Sequence, residues 1–269
     1  MWAVFTMFVV GLSLALGYLV VWRLVLRFAS RFSDPGRPDD IIRTHLIAFP
    51  FLLGTTAFFA FGSGHFNITS FVQGIGMVPY GFTLGLLCFL LVIGIQYALG
   101  WITFPGWGWQ SIPVRQVLSA VVYQIIGHAT VAFNEELAFR GYGYLAFRDL
   151  LGASLAALIM LILFIRLHER TAITMLYIGT AGAWFMLCRW LTGSIWFGFG
   201  FHWAWNIAQT AILGNQEAMP SLRPLHVVGP SWWVGRPGVH GGMMSVFANI
   251  GFIIVALLYA SYFQIPFNM

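Results

Sequence analysis

The run Tyr80–Thr103, YGFTLGLLCFLLVIGIQYALGWIT, contains no Asp, Glu, Lys or Arg. It exceeds the roughly 20 residues that a helix rising about 1.5 Å per residue needs to cross a hydrocarbon core about 30 Å thick. A strand of an outer-membrane barrel would alternate apolar and polar residues, and this run does not. It reads as a transmembrane helix. Working outward, apolar runs recur near 3–28, 45–62, 80–103, 118–148, 151–168, 172–190, 194–213 and 243–264. The expectation is an all-α, polytopic integral membrane protein of about eight transmembrane helices, a single membrane domain over residues 1–269. Composition agrees: 59% of the chain is hydrophobic and 8% charged, against roughly 25% charged in soluble domains.

Polar or Gly- and Pro-rich stretches punctuate the runs. RFSDPGRPDD (31–40) ends the first, FPGWGWQSIP (104–113) follows the third, and a long loop over 214–242 precedes the last. All 13 basic residues are Arg, and the net charge is +5. No basic run is interleaved with polar surface, so nucleic acid is not an expected partner; the lipid bilayer is. Arg23, Arg27, Arg31, Arg37 and Arg43 cluster around the first loop, which the positive-inside rule places in the cytoplasm. Alternation then puts Arg115, Arg166, Arg170, Arg223 and Arg236 on the same side, Arg148 and Arg189 opposite, and both termini outside. The N-terminal MWAVFTMFVV lacks a basic leader and a cleavage site, so it reads as a retained first helix. Cys88 and Cys188 sit in apolar runs and read as packing residues. NITS, from Asn67, matches a glycosylation sequon of a kind that arises by chance.

One segment breaks the apolar rule. VAFNEELAFRG (Val131–Gly141) places two of the eight acidic residues side by side inside the fourth run. A charge in the bilayer costs several kcal/mol and marks function by default. Glu136 and Arg140 are four apart, share a helix face and can pair. Glu135 points about 100° away. A carboxylate left without a cation in a dry place is a usable general base. The bland alternative is a solvated pair in an interfacial loop.

Other polar residues favour the site. His168 ends FIRLH (Phe164–His168), and His202 and Asn206 lie four apart in HWAWN. Taking the turn near 149–151 as one membrane surface, Glu136 lies roughly 20 Å deep and His168 roughly 26 Å. By the same rise His202 lies roughly 15 Å deep and Asn206 roughly 21 Å. All four can meet in one polar cavity between the fourth, fifth and seventh runs.

EELAFR fits EExxxR, FIRLH fits FxxxH and HWAWN fits HxxxN, in that order. Together they resemble the CAAX protease and bacteriocin-processing (CPBP) family, with a motif-bearing core at about 115–213. The resemblance implies an intramembrane endopeptidase acting on a membrane-associated protein or peptide. It assigns Glu135 and His168 to activation of a water. His202 and Asn206 would donate to the oxyanion. Glu136 and Arg140 would hold the helix and the first carboxylate in place. No cofactor and no metal is implied. In one departure from the family pattern, ERT follows His168 and puts that residue near a helix end. The Arg-only, compact chain suggests a bacterial cytoplasmic membrane.

Two other readings stand beside this one. Two Glu and two His could bind zinc or iron for metal-dependent proteolysis, though HExxH is absent. Alternatively the polar cluster serves a non-catalytic scaffold or an immunity-type binding protein. His128, seven residues before Glu135, shares its face and reads as a hydrogen-bonded packing residue. Trp203 and Trp205 flank His202 and read as packing or lipid contacts. Gly198 and Gly200 read as close-packing positions. His45, His65, His226 and His240 fall at expected segment ends or loops and carry no assigned role.

Overall fold

The eight apolar runs are largely helical in the computed structural model, which describes residues 2–33, 40–64, 71–72, 74–106, 108–168, 171–210, 226–235 and 241–269. His65, His240, the Asn67 sequon, Arg37, Arg170, Arg223 and Arg236 lie outside the described residues. The helices are α1 (Trp2–Ala29), α2 (Asp40–Gly62), α3 (Val78–Ala98) and α4 (Val114–Glu136). After them come α5 (Gly143–Leu151), α6 (Ala153–Arg166), α7 (Ala172–Thr192) and α8 (Trp196–Ala208). A short α9 (Ser231–Val234) precedes α10 (Met243–Tyr262). Two-residue strands, β1 (Ile102–Thr103) and β2 (His226–Val227), pair antiparallel. That pairing gives His226, expected in a plain loop, a place in a small ribbon.

Length separates these helices. Six helical stretches among the described residues are long and apolar enough to cross a membrane: Phe5–Ala29, Asp40–Gly62, Gly74–Ala98, Val114–Leu151, Ala172–Thr192 and Met243–Tyr262. α6 has 14 residues and α8 has 13. At about 1.5 Å per residue each reaches only about 20 Å. α6, which carries Phe164, is therefore shorter than the 151–168 span expected for it; the last residues of the 194–213 run lie outside the described residues.

The fourth run is not one helix. Between α4 and α5 the chain makes a π-helical turn over Leu137–Tyr142, and Gly141 leaves helical geometry (φ −87°, ψ −118°). A π turn inserts one extra residue and re-aims the side chains around it; such turns recur at functional sites. At the end of α7, Gly193 adopts the left-handed conformation (φ 68°), and its N–H donates to the Arg189 carbonyl at 3.0 Å. This glycine cap turns the chain directly into α8.

α3 and α8 cross with almost no side chain between them. A Cβ at Gly81 would strike the Phe197 carbonyl oxygen, one at Gly85 would lie 2.6 Å from the Phe201 oxygen, and one at Gly200 would strike the Val78 oxygen. Small residues that let backbones touch are how helices associate in lipid, where water supplies no hydrophobic drive. Two apolar cores flank the centre. One, built on α1, α2, α5, α6 and α7, holds Tyr18, Trp22, Phe139, Tyr142 and Phe164. The other, built on α3, α7, α8 and α10, holds Phe89, Trp184, Phe185, Phe201 and Trp205.

Candidate active site

Arg140 sits at the seam between these cores and is 1% exposed. Its Nη1 donates to Glu136 Oε1 at 3.2 Å, and its Nη2 donates to the Gly182 carbonyl oxygen at 3.2 Å. The guanidinium carbon lies 4.2 Å from the Phe164 ring centroid and 5.3 Å from that of Phe185, one ring from each core. Cations are attracted to such ring faces, more strongly once desolvated. Gly182 makes room for this, since a Cβ there would come within 3.3 Å of Nη2. Arg189 of α7 donates through Nε to the Arg140 carbonyl at 3.2 Å, giving a backbone acceptor of the irregular turn a partner. The Glu136–Arg140 pair read from the i,i+4 spacing is present, with both groups buried.

His202 links the two glutamates. Its Nδ1 lies 3.2 Å from Glu136 Oε1, and its Nε2 lies 3.7 Å from Glu135 Oε2. The imidazole stacks on Phe185 at 4.7 Å and 20°. Glu136 Oε1 thus faces both Arg140 and His202. Glu136 Oε2 is buried and makes no hydrogen bond among the described residues. A Cβ at Gly198 would stand 3.2 Å from that oxygen. Gly198 therefore makes space for the carboxylate, whereas Gly200 serves the α3 crossing.

Glu135 is 7% exposed and makes no contact with Arg140 of the kind Glu136 makes. Its carboxylate lies within electrostatic reach of His168, His202, His45 and Arg140. His168 follows the end of α6, as the ERT sequence indicated. Its Nδ1 is 2.9 Å from the Phe164 carbonyl oxygen, and its ring meets the Phe164 ring edge-on at 4.8 Å. A carbonyl only accepts, so Nδ1 carries the proton and Nε2 of the neutral ring is the acceptor. This gives FxxxH a physical meaning, because Phe164 fixes both the position and the tautomer of His168. Asn206 lies one turn beyond His202 on α8 and is half-buried.

The structure thus brings Glu135, Glu136, Arg140 and His202 into one cluster, with His168 within electrostatic reach of Glu135 and Asn206 one turn along α8. Two residues given no role by sequence also reach it. His45 of α2 and Asn134 are 6% and 2% exposed, with Asn134 Nδ2 3.3 Å from His45 Nδ1. Adjacency to Glu135 was the signal for Asn134. His45 had none, because its run was read as starting at that residue. His128 differs from expectation, since both ring nitrogens are buried without a hydrogen bond among the described residues. Trp203 donates through Nε1 to the Ile125 carbonyl at 2.9 Å, pinning α8 to α4, and Trp205 packs edge-on against Phe89. No group of three or more His, Cys, Asp or Glu among the described residues is placed to hold one metal ion.

Residues 117–208 match the family model described as Rce1-like, type II CAAX prenyl endopeptidase. This match, over about a third of the chain, supports a relationship to the CAAX protease family. The match runs from α4 to the end of α8 and contains all three motifs. No curated protein and no solved structure matches the chain. With six helical stretches among the described residues long and apolar enough to span, the chain is an integral membrane protein.

Proposed function

We propose that the protein is a glutamate-dependent intramembrane endopeptidase that hydrolyses a peptide bond of a membrane-associated protein or peptide. One observation carries this reading: of two adjacent buried carboxylates, Glu136 is committed to Arg140, and Glu135 has His202 Nε2 3.7 Å away instead. Glu135 and the Nε2 acceptor of His168 take a proton from water, and the oxygen attacks the peptide carbonyl carbon. The C=O π electrons move to oxygen. Two carboxylates and Arg140 sum to one negative charge, which the imidazolium form of His202, the form this mechanism uses, would cancel. Both its nitrogens are then donors. Nδ1–H serves Glu136, and Nε2–H, 3.7 Å from Glu135 Oε2, is beyond hydrogen-bond range of it. In this reading that N–H serves the oxyanion, with Asn206 as a second donor; such donors contribute about 3–4 kcal/mol each. Collapse returns the π bond, breaks C–N and passes the proton from Glu135 or His168 to the leaving amine.

The substrate class is a membrane protein or peptide, and the setting in this reading is a bacterial cytoplasmic membrane. The test compares membrane proteomes from cells carrying the wild-type chain and Glu135→Ala. Accumulation of uncleaved precursors in the variant, at equal protein level, is expected. Identical processing would transfer the cluster to the scaffold or immunity-type reading.

A further inference from the structure

His45 lies on α2, outside the 117–208 segment that the family model covers. It is a buried polar side chain on a helix long and apolar enough to span, and such groups are expected to be paired. Its partner is Asn134, the residue before Glu135. Asn134 Nδ2 lies 3.3 Å from His45 Nδ1 and 3.5 Å from the His45 carbonyl oxygen. The carbonyl can only accept, so the amide atom facing it is the NH2. The ring nitrogen facing the same NH2 is then an acceptor, and the proton of the neutral ring sits on Nε2. His168 holds the opposite tautomer, with its proton on Nδ1. Two histidines, one on α2 and one just past α6, are thus set as one donor and one acceptor. Both lie within electrostatic reach of Glu135, and of each other.

The packing of α2 on α4 is built for this approach. A Cβ at Gly127 would strike Ile42, one turn before His45. Phe49, one turn after His45, packs against Phe133 at 6.1 Å. Asn134 is therefore flanked by the contacts that hold α2 in place.

We propose that His45 is a positioning residue of the active site, its ring held through Nδ1 by Asn134 so that its Nε2–H orients Glu135 and the attacking water toward His168. This rests on the proteolytic reading above. The test uses the full chain in detergent and a synthetic peptide spanning a cleavage site that Glu135→Ala leaves uncut. His45→Ala is expected to lower kcat about 10- to 100-fold, the cost of misplacing a reacting group, with KM unchanged. His45→Gln places an N–H donor where Nε2 stood and is expected to restore most of the rate. His45→Asn, whose amide reaches only the Nδ1 position, is expected to behave as His45→Ala, as is Asn134→Ala. Wild-type kcat in His45→Ala beside an inactive Glu135→Ala would overturn the role of His45 alone. So would equal loss in His45→Gln, His45→Asn and His45→Ala accompanied by an equal fall in thermal midpoint. Full activity in Glu135→Ala would instead overturn the proteolytic reading.

Discussion

The two sides of the α4 end are built to opposite rules. On one side Glu136 and Arg140 are nearly solvent-free and held by Gly182, Phe164, Phe185 and His202 at short distances. On the other, Glu135 has histidines around it, the nearest ion-pair distance being 3.7 Å to His202 Nε2. Neighbouring residues on one helix thus divide into a fixed strut and a carboxylate without a cation of its own. The difference teaches that adjacency in sequence is what keeps Glu135 in register with its neighbour's support.

The largest expected effect would break that comparison. Arg140→Ala leaves Glu136 buried without its cation, and removing one partner of a buried pair costs about 3–5 kcal/mol. Thermal or denaturant unfolding in detergent should register that loss, while Glu135→Ala stays near the wild-type value. Equal destabilisation by the two substitutions would mean that both carboxylates are structural, and the division would collapse.

Gly182→Ala sharpens the same contrast on the strut side. The added methyl would approach Leu161 Cδ1 to 2.6 Å, Phe164 Cδ1 to 3.1 Å and Arg140 Nη2 to 3.3 Å. Overpacking of this kind costs about 1–3 kcal/mol. Leucine can yield, but the Phe164 ring is held by Arg140 and His168. A fall in stability with an altered cleavage rate is expected, since Phe164 also carries His168. An unchanged rate at reduced stability would separate the strut from the base.

Much of this was legible in the sequence, for local reasons. The Glu136–Arg140 pair follows from i,i+4 geometry, and FxxxH and HxxxN place one residue a turn from another. What was illegible is tertiary or concerns helix ends. Nothing near Arg140 announces the Gly182 carbonyl, 42 residues on, as its second acceptor. The π turn over Leu137–Tyr142 leaves no apolar break, because Gly141 and Gly143 are tolerated in a spanning run. His45 was read as a segment end because hydropathy starts there. The helix begins at Asp40, so His45 lies more than a turn inside and faces α4.

Trp203→Phe is the smallest expected effect, and it isolates packing from chemistry on α8. The substitution keeps an aromatic ring to stack on Phe199, which Trp203 meets at 5.7 Å and 12°. It removes only the Nε1–H donated to the Ile125 carbonyl. That carbonyl lies within α4, where the helical ladder already supplies a donor, so the loss leaves no orphaned acceptor. A net cost of about 0.5–1 kcal/mol follows, at the low end for a hydrogen bond. Trp203 adjoins His202 but points to α4, so the cleavage rate should hold within about twofold while stability slips. A larger drop in rate would mean that the α4–α8 tie sets the spacing of His202 from the two glutamates. The strut would then extend onto the side assigned here to chemistry.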